Sequence, residues 1–300
     1  LFRSCPTGAL SVRSDKWVRP EMMVATVCPY CGVGCRLDLG VKDDMIVSIT
    51  PDRDGPVNRG QACVKGRFGL DEIVHHPDRL TVPLIRRNGK FEEASWEVAL
   101  DLVARRFSEI KNEHGPDSLG AFSSSRCTNE ENYLVQKLAR AVFGTNNVDN
   151  CARICHAPSV TGLAACFGSG AATNSFDQIE DADVLFVIGS NTSETHPVIS
   201  TFVKRAVVRR GADLVVIDPR RIPLVEHAVV WLRQRPGTDL AVINGLMHVI
   251  LREGLAQEAF IQERCENFEA LRDILASYTP ERVEAISCVG AEDLVKAARL

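Results

Sequence analysis

No apolar run in this 300-residue chain approaches the about 20 consecutive residues that a helix needs to cross a bilayer, so a helical membrane span is excluded. A basic excess is also lacking. Lysine and arginine number 35 against 39 aspartate and glutamate, for a net charge of −4, and the electrostatic footprint of a nucleic-acid binder is missing. The G-x-G-x-x-G fingerprint of ordinary dinucleotide-binding folds does not occur. Cysteine, by contrast, is abundant. The chain has 11, an odd number without a regular disulfide framework, which speaks against a secreted, stapled module and agrees with an intracellular protein whose thiols serve as ligands and core residues. The length corresponds to about two domains.

The strongest pattern is Cys28-x2-Cys31-x3-Cys35, followed after 27 residues by Cys63. Four thiolates are what a [4Fe–4S] cluster needs, one per iron. Gly32 and Gly34 let the backbone curl around such a cubane. Two alternating runs, 37–41 and 45–49, flank Lys42-Asp43-Asp44 and predict a β-hairpin that carries Cys63 back to the loop. The rival is a four-cysteine zinc site, for which paired Cys-x2-Cys knuckles are usual; only one half here has that spacing.

At the N-terminal end, Cys5-Pro6 resembles the last ligand of a ferredoxin-type run. Residues 1–24 are therefore read as the remnant of an upstream cluster domain and a linker, with a [4Fe–4S] module over 25–80. The last ten residues stop inside a helical pattern, and the chain is expected to be an internal piece of a longer protein.

Beyond the module the pattern becomes α/β. Ser95 precedes a helix whose apolar positions Trp96, Leu100, Val103, Phe107 and Ile110 define a core face, ended by His114-Gly115-Pro116. A strand near Leu119–Phe122 and a helix over about 130–143 follow. Two strands of buried type, 183–189 and 212–218, joined by a helix over about 196–210, form a βαβ unit and hence a parallel pair. We assign 81–150 to the first part of a discontinuous α/β domain and 151–300 to an incomplete Rossmann-like domain. Ligands of such sheets bind beyond the carboxyl ends of the strands. Three polar loops fall there: Gly189-Ser190-Asn191, Asp218-Pro219-Arg220 and Pro236-Gly237-Thr238-Asp239. They suit a nucleotide-like ligand, although Asp-Pro-Arg alone is often only a strand-terminating turn.

Cys155-His156 reads as a metal ligand with a proton acceptor beside it. In isolation the better reading would be a small buried hydrophobe and a satisfied core histidine. Cys127, Cys151, Cys166, Cys265 and Cys288 lack ligand spacing and are assigned to packing. Arg126 and Arg153 are candidates to steer an anion.

Taken together, Cys28–Cys63, the segment 148–160 around Cys155-His156 and the three loops resemble, in order, the catalytic subunit of molybdenum-dependent formate dehydrogenases. The resemblance runs from about Val27 to the end, and Cys5-Pro6 points to the NAD-linked cytoplasmic branch. It implies an α/β fold of the molybdopterin oxidoreductase (DMSO reductase) superfamily: a small β-rich [4Fe–4S] module followed by αβα domains with a mainly parallel sheet, here truncated. It implies that Cys155 ligates molybdenum or tungsten held by two molybdopterin guanine dinucleotides. His156 would position formate or accept its proton, and Lys65 would stand between cluster and pterin. Asn191, Asp218, Arg220, Gly237 and Asp239 match positions that hold the guanine dinucleotide. Formate would be oxidised to CO2, with electrons passing through the cluster to iron–sulfur and flavin subunits that reduce NAD. The family's formate-binding arginine falls downstream of residue 300, so these residues alone are expected to be inactive. Two alternatives remain: a nitrate reductase of the same superfamily, which typically lacks His after the ligand Cys, and a metal-free electron-transfer or scaffold subunit.

Overall fold

The computed structural model describes residues 18–300, so Cys5-Pro6 lies outside the described residues. The chain forms two compact units. One comprises the residues up to Phe68 together with Asn174–Leu300, and the other Gly69–Thr173.

In the first unit, β1 (Met22–Val27), β2 (Arg36–Lys42) and β3 (Met45–Pro51) form an antiparallel sheet. The hairpin over β2 and β3 forms as its alternation predicts, turning at Asp43 and Asp44, both with positive φ. Strand β1 was not anticipated and begins at Met22, in residues read as linker. Its residues are largely exposed, so backbone pairing with β2 rather than a buried face defines it. The sheet is irregular at Gly40/Val41. A Cβ on Gly40 would collide with Ser48 Oγ and come within 2.9 Å of Pro20, so only glycine allows this close approach.

The rest of the first unit is a parallel sheet, β10–β9–β8, built from β8 (Val184–Ile188), β9 (Asp213–Ile217) and β10 (Val230–Leu232). Strand β9 is central and covered on both faces. Val215 and Ile217 pack with Val242, Leu246, Val283 and Leu294 from three helices, Asp239–Arg252, Pro280–Ser287 and Ala291–Arg299. Leu214 and Val216 pack on the opposite side with Val203 of helix Pro197–Arg205. This two-sided burial explains its continuous apolar run. Strand β8 departs from its buried reading. As the edge strand it leaves Val184 and Phe186 exposed, because no helix of this unit covers those positions.

Phe202, fully buried on helix Pro197–Arg205, lies 6.5 Å from the Phe176 ring. Phe202→Ala is expected to destabilise this unit by about 3–5 kcal/mol, read as a lower denaturant midpoint at unchanged slope.

The second unit contains the hairpin β4 (Leu84–Arg87) and β5 (Lys90–Glu93), and a parallel pair, β6 (Ala121–Ser123) with β7 (Val148–Asn150). Helix Trp96–His114 starts where predicted, with Ser95 Oγ accepting from Val98 N. Its expected core face is corrected by the structure. Trp96, Leu100 and Val103 are exposed, and only the last turns are held, with Ile110 against Leu119, Ala139 and Phe143, and Phe107 edge-on to Phe143 at 5.3 Å. The small two-stranded sheet is too short to cover the first turns of a 19-residue helix.

Candidate functional site

The four thiols of Cys28, Cys31, Cys35 and Cys63 converge on one cavity, walled also by Val33 and Leu37. The loop is closed where Cys28 N donates to Cys35 O at 2.9 Å, at the junction of β1 and β2. Gly34, at φ +70°, supplies the turn. Cys63 arrives immediately before the short helix Val64–Phe68. Gly66 of that helix lies so close that an added Cβ would stand 3.2 Å from Cys28 Sγ.

What holds Cys63 against the loop is a residue the sequence did not single out. Asn58 is fully buried; its Oδ1 accepts from Arg36 N, and its Nδ2 donates to Arg36 O and Gln61 O. A lone asparagine in a polar loop carries no periodic signal that could have revealed it.

Burial pushes the Cys28 thiol up, and it pushes Cys35 to about 12, with neighbouring thiols adding to the effect in both. Such a set becomes a set of thiolates only when cationic metal compensates the charge. Among the described residues no three His, Cys, Asp or Glu side chains stand close enough to hold a single metal ion. A zinc ion would need four sulfurs about 2.3 Å from one centre, whereas a cubane takes one thiolate at each corner. Four thiols lining one cavity fit that demand for one thiolate per corner.

Lys65, two residues past Cys63, sits at this cage. Its charge opposes the upward push on Cys28, and its Nζ donates to Glu194 O at 2.9 Å. It thereby ties the cysteine module to the loop after β8. Pro197 and Val198, at the start of the following helix, help close the cavity.

The three polar loops all leave the carboxyl ends of the parallel strands. Asn191 Oδ1 and Thr192 Oγ1 are buried without a hydrogen-bond partner. Buried polar atoms in native folds are ordinarily paired, so these orphans fit a polar ligand. Asp218 is buried; its Oδ1 accepts from Arg220 N at 2.8 Å and its carbonyl from Trp231 Nε1 at 2.9 Å. One carboxylate oxygen is thus spent on the local turn. Arg220 is exposed. Gly237, at φ +84°, makes the turn into Thr238 and helix Asp239–Arg252. Asp239 Oδ1 accepts from Gln234 Nε2 at 2.8 Å.

Cys155 and His156 stand in the second unit, at the junction of helices Ala152–Cys155 and Ala157–Phe167. Both are exposed, not buried as the reading for an isolated pair would have them. The junction is set by Asn150 at the end of β7. Its Nδ2 donates to Ser123 Oγ and Asn132 Oδ1, while its Oδ1 accepts from Ala152 N. Asn150 is a second residue that sequence reasoning passed over. Arg153 is exposed, and its Nε pairs with Asp149 at 3.1 Å.

The remaining cysteines also depart from expectation. Cys127, Cys151, Cys166, Cys265 and Cys288 are all exposed rather than packed. Cys288 Sγ accepts from Arg235 Nη2 and Cys151 Sγ from Ser125 N. Hydrogen bonding from Ser125 lowers the Cys151 thiol below its ordinary range. Because the thiolate is the nucleophile, Cys151 is expected to alkylate several-fold faster at neutral pH than Cys166 or Cys265, as read by mass spectrometry after iodoacetamide labelling.

A family model described as "Molybdopterin oxidoreductase" matches residues 79–295, and one described as "Molybdopterin oxidoreductase Fe4S4 domain" matches residues 21–75. Similar proteins include the F420-dependent formate dehydrogenase 1 subunit alpha of Methanococcus maripaludis, 48% identical over 92% of this chain and 40% of that protein. Formate dehydrogenase H of Escherichia coli is 44% identical over 92% of this chain and 39% of its own length. Among solved structures, acetylene hydratase from Pelobacter acetylenicus aligns with a TM-score of 0.77 at 29% identity, covering 91% of this chain and 38% of that one. The chain thus spans about two fifths of the length of these relatives. Among the described residues no helix is long and apolar enough to cross a membrane. With matches over 21–75 and 79–295, the chain belongs to the molybdopterin oxidoreductase family, whose cofactors are a molybdopterin and, through the Fe4S4 domain, an iron–sulfur cluster.

Proposed function

We propose that the whole protein oxidises formate to CO2 at a molybdenum or tungsten bis(molybdopterin guanine dinucleotide) centre. The observation that carries this reading is the exposed Cys155-His156 pair, held at a helix junction by Asn150 in a chain that also carries the four-thiol cage. The relatives named as formate dehydrogenases support it. The chemistry the bound group supplies is acceptance of the two electrons of the formate C–H bond.

The protein's own residues supply the rest. The Cys155 thiolate is a soft ligand suited to that metal. The His156 ring is the proton acceptor for a reaction that releases one proton with two electrons. Asn191, Asp218, Arg220, Gly237 and Asp239 hold a guanine nucleotide at the strand ends. Lys65 places a cation beside the cage of Cys28, Cys31, Cys35 and Cys63, which favours the reduced cluster. Partner subunits containing iron–sulfur and flavin groups take the electrons to NAD. The F420-dependent relatives make F420 the competing acceptor.

Formate-dependent viologen reduction by the full-length protein, purified without oxygen, tests the reading, with NAD and F420 then offered as acceptors. Turnover with formate supports it. Formate silence with nitrate-dependent oxidation of reduced dye would move the protein to a nitrate reductase, and silence in both assays to a non-catalytic scaffold.

A further inference from the structure

We infer that Gln234 is a positioning residue that fixes the Asp239 carboxylate to read guanine and to reject adenine. The inference rests on the proposal that these loops hold a guanine nucleotide. Gln234 lies two residues past β10, in the loop that enters helix Asp239–Arg252, and is only 3% exposed. Its Nε2 donates to Asp239 Oδ1 at 2.8 Å. The opposite amide orientation would set two acceptors against each other, so the contact itself fixes which end faces the carboxylate.

That orientation leaves Gln234 Oε1 buried and without a hydrogen-bond partner. An unsatisfied buried acceptor is costly, and its two companions, Asn191 Oδ1 and Thr192 Oγ1, belong to the segment that follows β8 in the same parallel sheet. This is the sheet edge at which folds of this type bind ligands. The orphaned oxygen asks for a ligand that donates hydrogen bonds.

Asp239 is the first residue of a 14-residue helix, at the end where the helix dipole favours a negative group. Its Oδ2 takes no other hydrogen bond among the described residues. A neutral amide on Oδ1 orients the group without cancelling its charge, which a lysine or arginine would do. The result is an acceptor-only surface. Guanine offers N1–H and the N2 amine as adjacent donors, whereas adenine offers an acceptor at N1 and is repelled. Gln234 thus decides specificity by holding Asp239 in register, and the assignment gives the orphaned Oε1 a donor on the ligand.

The test uses full-length protein produced without pterin cofactor, with GDP and ADP as probes in equilibrium dialysis. Wild type is expected to prefer GDP. Gln234→Met, which keeps length and apolar volume, should weaken GDP about tenfold, as loss of a hydrogen bond to a charged group predicts, and leave ADP unchanged. Gln234→Glu, which sets a second carboxylate against Asp239, should weaken GDP at least as much and supplies the answer if the Met variant does not fold. Asp239→Asn should erase the preference. If Asp239→Asn erases it while both Gln234 variants retain it, this inference is overturned and the nucleotide site stands. Equal binding of GDP and ADP by wild type would remove the guanine reading and this inference with it. Neither outcome depends on formate turnover.

Discussion

Replacing His156 with alanine is expected to cut formate-dependent dye reduction by the full-length protein by about 10²–10⁴-fold, the range over which a positioned proton acceptor contributes. The structure separates this effect from damage to the fold. His156 N donates to Ala152 O and His156 O accepts from Val160 N, so the main chain is held at both ends of the residue. The ring is exposed and makes no hydrogen bond among the described residues. Removing it leaves the helix junction, Cys155 and the Asn150 contacts in place. Molybdenum or tungsten and iron contents should therefore match wild type, and kcat should carry the loss. Cys155→Ala is the contrasting variant, in which the metal is lost with the activity. Unchanged kcat in His156→Ala at full metal occupancy would exclude the ring as proton acceptor.

The elements that could be read from the sequence are those whose partner lies within a few residues or whose faces are uniform. The β2/β3 hairpin follows from strict alternation on either side of Asp43-Asp44, and β9 from an apolar run that only two-sided burial explains. Ser95 announced its helix correctly because an N-cap acts on Val98, three residues away. Periodicity reported less well on which faces find a partner. The Trp96–Val103 stripe has helical spacing yet stays exposed, and Val184 and Phe186 of edge strand β8 have strand spacing yet are exposed. Residues that assemble the site across distance were invisible for another reason. Asn58 reaches back 22 positions to Arg36, and Asn150 reaches 27 to Ser123. A single polar side chain has no period, and only the folded chain reveals what it joins. The thiol ligand candidates escaped that limit because three of them lie within eight residues.

Loss of one of those thiols defines the second large expected effect. Cys28→Ala should remove about four iron atoms per polypeptide, the content of one [4Fe–4S] cluster, together with the spectroscopic signal of the reduced cluster. The cavity explains why the loss should be complete rather than partial. Cys28 and Cys35 are both under a tenth exposed, beside Val33 and Leu37, so water cannot readily replace the missing ligand. Burial also raises the Cys35 thiol that remains, which makes it a poorer ligand once one corner is open. Electron delivery to the natural acceptor should fall to background, since the cage is the proposed exit for electrons leaving the metal centre. Because metal binding is linked to folding of its site, the β1–β2–β3 module should also unfold at lower temperature. Cys151→Ala, which alters an exposed thiol that does not line the cage, should change neither iron content nor melting. The measurement is iron and zinc analysis of the two variants beside wild type. Loss of iron confined to Cys28→Ala supports the cluster assignment, whereas one zinc per wild-type chain, lost in the same variant, would hand the cage back to a structural zinc site.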